Sequence, residues 1–163
     1  MAVKVLVAGV GNIFNGDDGF GVAVAQRLAG AEMPAGVVVR DIGIRGVHLA
    51  YELLDGYDAL VLVDALPGDE EPGTLTVLAV DRLDAAGAVM DAHSMDPRAV
   101  LTMLEDLGGS VDRVLVVGCQ TADVDERLGL SLPVEAAVDD AARLVHELVD
   151  ELIGARCAQN KEG

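Results

Sequence analysis

The run Ala59-Leu60-Val61-Leu62-Val63 constrains this fold more than any other segment. Nearly all apolar, it suits a central parallel strand covered on both faces. It ends on Asp64. Shorter apolar runs flank it, each followed by a turn or helix signal. Val3–Ala8 reads as a first strand closing on Gly9-Val10-Gly11-Asn12, with a loop and then a helix from about Gly19 to Leu28. Gly36–Asp41 is a second strand, followed by a glycine turn and a helix through Leu53. Pro67–Gly73 is an acidic turn, and Thr74–Val77 alternates as a half-buried edge strand does. Asp96-Pro97 starts a helix, with Asp as N-cap and Pro in the first turn, and the helix ends at Gly108-Gly109. Arg113–Val117 is the last strand.

The final helix is the clearest element. Val134, Ala137, Val138, Ala141, Leu144, Val145, Leu148 and Leu152 recur at three- and four-residue steps and form one apolar face. Glu135, Asp139, Arg143 and Glu147 lie opposite. Strands alternating with helices call for an α/β fold: a mostly parallel twisted sheet with helices on both faces and one antiparallel edge strand. Residues 1–154 are expected to form one domain, followed by a polar, frayed tail over 155–163.

The core must be aliphatic, because hydrophobic residues make up 52% of the chain and aromatics only 2%. No apolar run approaches the roughly 20 residues of a membrane-spanning helix, and the N-terminus lacks a signal peptide's pattern. The two cysteines, Cys119 and Cys157, give neither a disulfide framework nor a metal-ligand spacing. A cytoplasmic protein without a membrane partner is expected. The formal charge of −17 repels phosphate backbones, which argues against nucleic acid.

In open parallel sheets the ligand site lies beyond the carboxyl ends of the strands. Asp18 falls in the loop after the first strand, Asp64 ends the third, and His93 lies in the irregular segment before Asp96-Pro97. All three are expected in one accessible cleft, with Asp64 and His93 near the surface. Two carboxylates and an imidazole suit a borderline divalent ion such as Ni²⁺ or Zn²⁺. Three protein ligands also leave coordination positions open. A structural alternative stays open for the first acid, since Asp17 or Asp18 could simply cap the helix beginning near Gly19.

Other motifs point elsewhere with less support. Gly9-Val10-Gly11-Asn12-Ile13-Phe14 begins like a dinucleotide fingerprint, but Phe14 stands at the third glycine position. Ser94 lacks a Gly-x-Ser-x-Gly elbow. Cys119 can be read as a nucleophile or as core packing. His48 and His146 fall on polar helix faces.

Four segments, in this order, resemble the hydrogenase maturation proteases: Gly9-Val10-Gly11-Asn12 with Gly16-Asp17-Asp18-Gly19-Phe20-Gly21; Leu62-Val63-Asp64-Ala65; the loop with His93; and Gly129-Leu130-Ser131-Leu132-Pro133-Val134-Glu135. The resemblance implies an endopeptidase that removes a C-terminal extension from the large-subunit precursor of a nickel–iron hydrogenase. It places the family's metal-reading and catalytic set on Asp18, Asp64 and His93. It implies nickel carried by the precursor and no organic cofactor. It also implies a glycine-rich turn near the substrate, matched by Asp41-Ile42-Gly43-Ile44-Arg45-Gly46, where Ile42 and Ile44 replace the Gly and Thr of some members. Two further readings stand beside it: a non-catalytic, nickel-dependent binding module or chaperone for that precursor, which uses the same ligands, and a nucleotide-binding enzyme, which uses the first glycine-rich loop.

Overall fold

The computed structural model describes residues 3–44, 46–80 and 97–162, with side chains through residue 155. Among the described residues, five strands and four α-helices follow one another as β1 (Val5–Val10), α1 (Phe20–Ala29), β2 (Val37–Gly43), α2 (Gly46–Leu53), β3 (Ala59–Leu66), β4 (Leu75–Ala79), α3 (Pro97–Asp106), β5 (Arg113–Gln120) and α4 (Leu132–Glu162). The sheet order is β2-β1-β3-β5-β4. Every pairing is parallel except that of β4, which lies antiparallel on β5 at the edge.

The apolar run in β3 is buried on both faces, as its composition demanded. Alternation sends Ala59, Val61 and Val63 into one cluster with Phe20, Val24 and Leu28 of α1 and Val134, Ala141 and Val145 of α4. Leu60 and Leu62 face the other way, onto Leu49 and Leu53 of α2 and Val100 and Leu104 of α3. Each fully buried aliphatic side chain stabilises the fold by roughly 1.5–3 kcal/mol. The sheet therefore holds its helices on both faces by shape-matched aliphatic packing, with Phe20 the one fully buried aromatic.

Several boundaries differ from the sequence reading. β3 does not stop at Asp64 but continues to Leu66, because β5 pairs with it through Leu66↔Gln120. β4 is shifted to Leu75–Ala79 and is mostly exposed rather than half-buried. The last helix runs on through Glu162 instead of fraying after Gly154. Its buried face adds Val149 to the expected set, while Val138, Leu144 and Leu148 are only partly covered.

Close approach explains two glycines. A Cβ on Gly21 would sit 2.1 Å from the carbonyl oxygen of Val63 and 2.4 Å from that of Val10. A Cβ on Gly9 would sit 2.1 Å from the carbonyl of Gly21. Helix α1 thus lies directly on β1 and β3, drawing the loop between β1 and α1 across their carboxyl ends.

Candidate active site at the carboxyl edge of the sheet

From β1 the chain passes to β2 on one side, and from β3 to β4 and then β5 on the other. The crevice of such a sheet opens where the order reverses, between the carboxyl ends of β1 and β3. The β1–β3 ladder ends at Gly9↔Val63. Asp64 is the next residue, still held by β5 opposite Gly118 but no longer flanked by a β1 partner.

Asp64 is 1% exposed, not near the surface as its place at a strand end suggested. Oδ1 accepts the Ala65 N–H at 2.8 Å. Oδ2 is buried and has no hydrogen-bond partner among the described residues. Burial pushes the carboxyl up to about 8; the Ala65 bond opposes the rise and the negative charge of Asp18 adds to it. An unsatisfied buried polar atom costs about 1–3 kcal/mol. A carboxyl in this state is primed for a proton or a cation.

Asp18 is half-buried in the short 3₁₀ turn Gly16–Gly19 and accepts the Asn12 N–H on Oδ2 at 2.9 Å. The loop reaches it through Gly11, whose φ is 134° and whose Cβ would lie 1.9 Å from the Asp18 carbonyl oxygen. The turn that carries it packs against β3, which places Asp18 near Asp64 across 46 positions of sequence. The third candidate, His93, lies outside the described residues. Among the described residues, no group of three or more His, Cys, Asp or Glu forms a metal-binding cluster.

Neither Asp17 nor Asp18 caps α1, whose N-cap Gly19 has no side-chain cap bond. Asp17 does something else. Fully buried, it accepts the N–H groups of Ala122 (2.8 Å) and Asp123 (2.9 Å) on Oδ2 and that of Ser131 (2.7 Å) on Oδ1. The Ser131 hydroxyl donates a fourth bond at 2.8 Å. Burial alone would raise this carboxyl, but the four donors outweigh it and hold it below the usual carboxylate range. Backbone bonds from Gly16 to Arg127, Asp17 to Asp123 and Arg127 to Phe14 extend the seam. The loop carrying Asp18 is therefore clasped to the loop between β5 and α4. Sequence reasoning missed this role; its only trace was Ser131 within the Gly129–Pro133 segment.

Gln120 is also buried, and its Nε2 donates to the carbonyls of Gly68 (2.8 Å) and Thr121 (3.3 Å), pinning the acidic turn after β3. Cys119 lies in the core beside α1 and α4, where burial first and the charge of Asp17 second push its thiol up to about 11. The packing reading of Cys119 holds. His48 is exposed, and His146 lies 3.2 Å from Asp150.

The Gly-x-Gly segment is spoken for as well. The Gly11 amide donates to the Gly43 carbonyl (2.9 Å), that of Asn12 to Asp18, and that of Phe14 to the Asn12 side chain (2.9 Å). A pyrophosphate seated at a dinucleotide fingerprint uses such amides. Here the glycines serve helix packing and the path of the loop.

The family model described as hydrogenase maturation protease matches residues 22–148. This chain belongs to the hydrogenase maturation protease family. A Methanocaldococcus jannaschii protein named as a hydrogenase maturation protease is 35% identical over 146 residues, covering 86% of this chain and 93% of its own. The hydrogenase maturating endopeptidase HybD from E. coli superposes with a TM-score of 0.80 at 27% identity, over 91% of this chain and 93% of that one. The hydrogenase 2 maturation peptidase from a Thaumarchaeota archaeon gives 0.72 at 33% identity, over 90% and 98%. The maturation protease is thus an endopeptidase with the mostly parallel five-stranded architecture of its solved relatives. Among its described residues no helix is long and apolar enough to cross a membrane.

Proposed function

We propose that this protein removes the C-terminal extension from a nickel-loaded hydrogenase large-subunit precursor, and that Asp18, Asp64 and His93 read the nickel. The observation that supports this most is the buried, half-unsatisfied carboxyl of Asp64 at the switch point of the sheet, with Asp18 beside it. Nickel is cargo of the substrate in this reading, held there by the precursor's own ligands.

The electrostatics supply a reason for discrimination. Without a cation, Asp64 is held largely protonated at neutral pH, because ionisation would bury a charge next to Asp18. A precursor-borne Ni²⁺ entering the cleft favours the ionised form, releases that proton and satisfies Oδ2. Oxygen ligands from two carboxylates and nitrogen from His93 match such an ion. An empty precursor brings no cation to the unsatisfied Oδ2, so the contribution of Asp64 to binding is gained only from the loaded form.

Single replacements Asp64→Ala and His93→Ala should abolish processing of a precursor that the wild-type protein cleaves, with circular dichroism unchanged. Asp18→Glu should be milder than Asp18→Ala, since it keeps a carboxylate at longer reach. Wild-type processing by a soluble, folded Asp64 or His93 variant removes that residue from the mechanism.

A further inference from the structure

The rim beside the two acids is apolar where a solvated loop has no need to be. Phe14 is 62% exposed, Leu128 71%, Val124 52% and Ile13 43%. The chain has only two phenylalanines; Phe20 is fully buried, and Phe14 stands in solvent on the loop that also carries Asp18. These four side chains come from two loops that the sequence separates by more than a hundred positions. They are neighbours because Arg127 N–H donates to the Phe14 carbonyl, Asn15 bridges Arg127, and Asp17 ties both loops together. A buried charged clasp thus holds exposed hydrophobic side chains in fixed positions at the mouth of the site. Contiguous exposed apolar surface of this kind marks interaction sites.

Charge selects the occupant. Asp123, Asp125 and Glu126 share the patch with Arg127, whose guanidinium lies 3.5 Å from Asp123. Asp69, Glu70 and Glu71 occupy the turn after β3 at the same edge of the sheet. A second copy of this chain would bring another acidic rim, and a total charge of −17, against the first. A segment with apolar and basic side chains meets both features at once.

We infer that Ile13, Phe14, Val124 and Leu128 form a docking surface for an apolar, positively charged segment of the precursor. The inference rests on the protease reading above but adds a recognition surface separate from Asp18, Asp64 and His93. The segment gains most of its affinity from contact with Phe14 and Leu128, and its orientation from the surrounding acids. Substrate recognition then has two parts: metal at the acids, and side chains on the rim.

The test uses the full chain and a nickel-loaded precursor that the wild-type protein cleaves. The double variant Phe14→Ser/Leu128→Ser should raise KM about tenfold while kcat changes less than twofold, because the acids are untouched. Asp125→Lys/Glu126→Lys should raise KM about fivefold in low salt and little in 0.5 M salt, where charges are screened. Sedimentation should show wild-type and variant proteins equally monomeric. Unchanged KM in both variants, with wild-type cleavage intact, overturns the docking surface and leaves the protease reading standing. Self-association of the wild type that the Phe14/Leu128 variant abolishes would assign the patch to a second copy instead. If the wild type cleaves no loaded precursor in the panel, the protease reading fails and this inference with it.

Discussion

Replacing Asp64 with asparagine should stabilise the protein while disabling it, and the gain should grow with pH. The carboxyl has a folded value of about 8 against 3.8 for an exposed aspartate. Between these values the native state binds more protons than the unfolded chain, so this group's contribution to stability falls as pH rises. It is fully present below about pH 4 and lost by the time pH passes about 8. Each pH unit between the two values is worth about 1.4 kcal/mol, so the whole interval corresponds to about 6 kcal/mol. Relaxation of the cleft and water entry around the ionised group lower that figure, leaving on the order of 3 kcal/mol between wild type and variant. In a domain of this size the difference amounts to about 8 °C in Tm. The amide keeps the acceptor for Ala65 N–H and removes the titration. Thermal unfolding of both proteins at pH 5 and pH 8 isolates the effect of Asp64 and its coupling to Asp18, since the remaining acids titrate alike in each. The variant should melt close to wild type at pH 5 and well above it at pH 8. Parallel curves, or a variant that loses ground at pH 8, would refute the claim that Asp64 is buried without a compensating partner.

Asp17→Asn should cost about 1–3 kcal/mol, because even with the amide oxygen in the place of Oδ2, where three donors converge, its N–H groups face the Ser131 N–H that Oδ1 accepts. The depressed Asp17 carboxyl stabilises above its unfolded value of 3.8 and loses that contribution as pH falls through its folded value, so the gap from wild type in urea titrations should narrow in acid. Gly21→Ala should lower Tm by more than 10 °C or prevent folding, since its Cβ meets two backbone carbonyls rather than a movable side chain. In a Cys157→Ser background, Cys119 should resist a thiol reagent at pH 8 and react fully in denaturant; rapid labelling of the folded protein would contradict its burial.

The architecture was legible because it rests on local pattern. A strand as apolar as Ala59–Val63 needs cover on both faces, and the helical period of Val134 to Leu152 needs a core to face; both requirements can be met only in a layered sheet. The edge strand's direction and the position of Asp64 at the switch point follow from the same topology. What stayed hidden was non-local. The extension of β3 to Leu66 depends on pairing with β5, which no property of residues 65–66 announces. Asp17 looked like a helix cap because an acid just before a helix commonly is one. Its actual partners lie more than a hundred residues away, where backbone N–H groups leave no mark in a sequence. The exposed position of Phe14 was equally invisible. Its replacement of the third glycine was read only as damage to a nucleotide motif, although the glycines around it serve packing and the phenylalanine stands in solvent.

The central claim is that the acids read a metal carried by the substrate. It is tested most directly by following precursor mass over time, with enzyme stripped by a chelator that is then removed, and with precursor prepared with and without nickel. Losing one charge-assisted ligand contact costs on the order of 1.5–3 kcal/mol. The account therefore predicts cleavage of the loaded precursor by stripped enzyme, and at least tenfold slower cleavage of the empty one. Equal rates on both precursors would contradict it, and activity that returns only when metal is restored to the enzyme would show a metalloprotease in the ordinary sense.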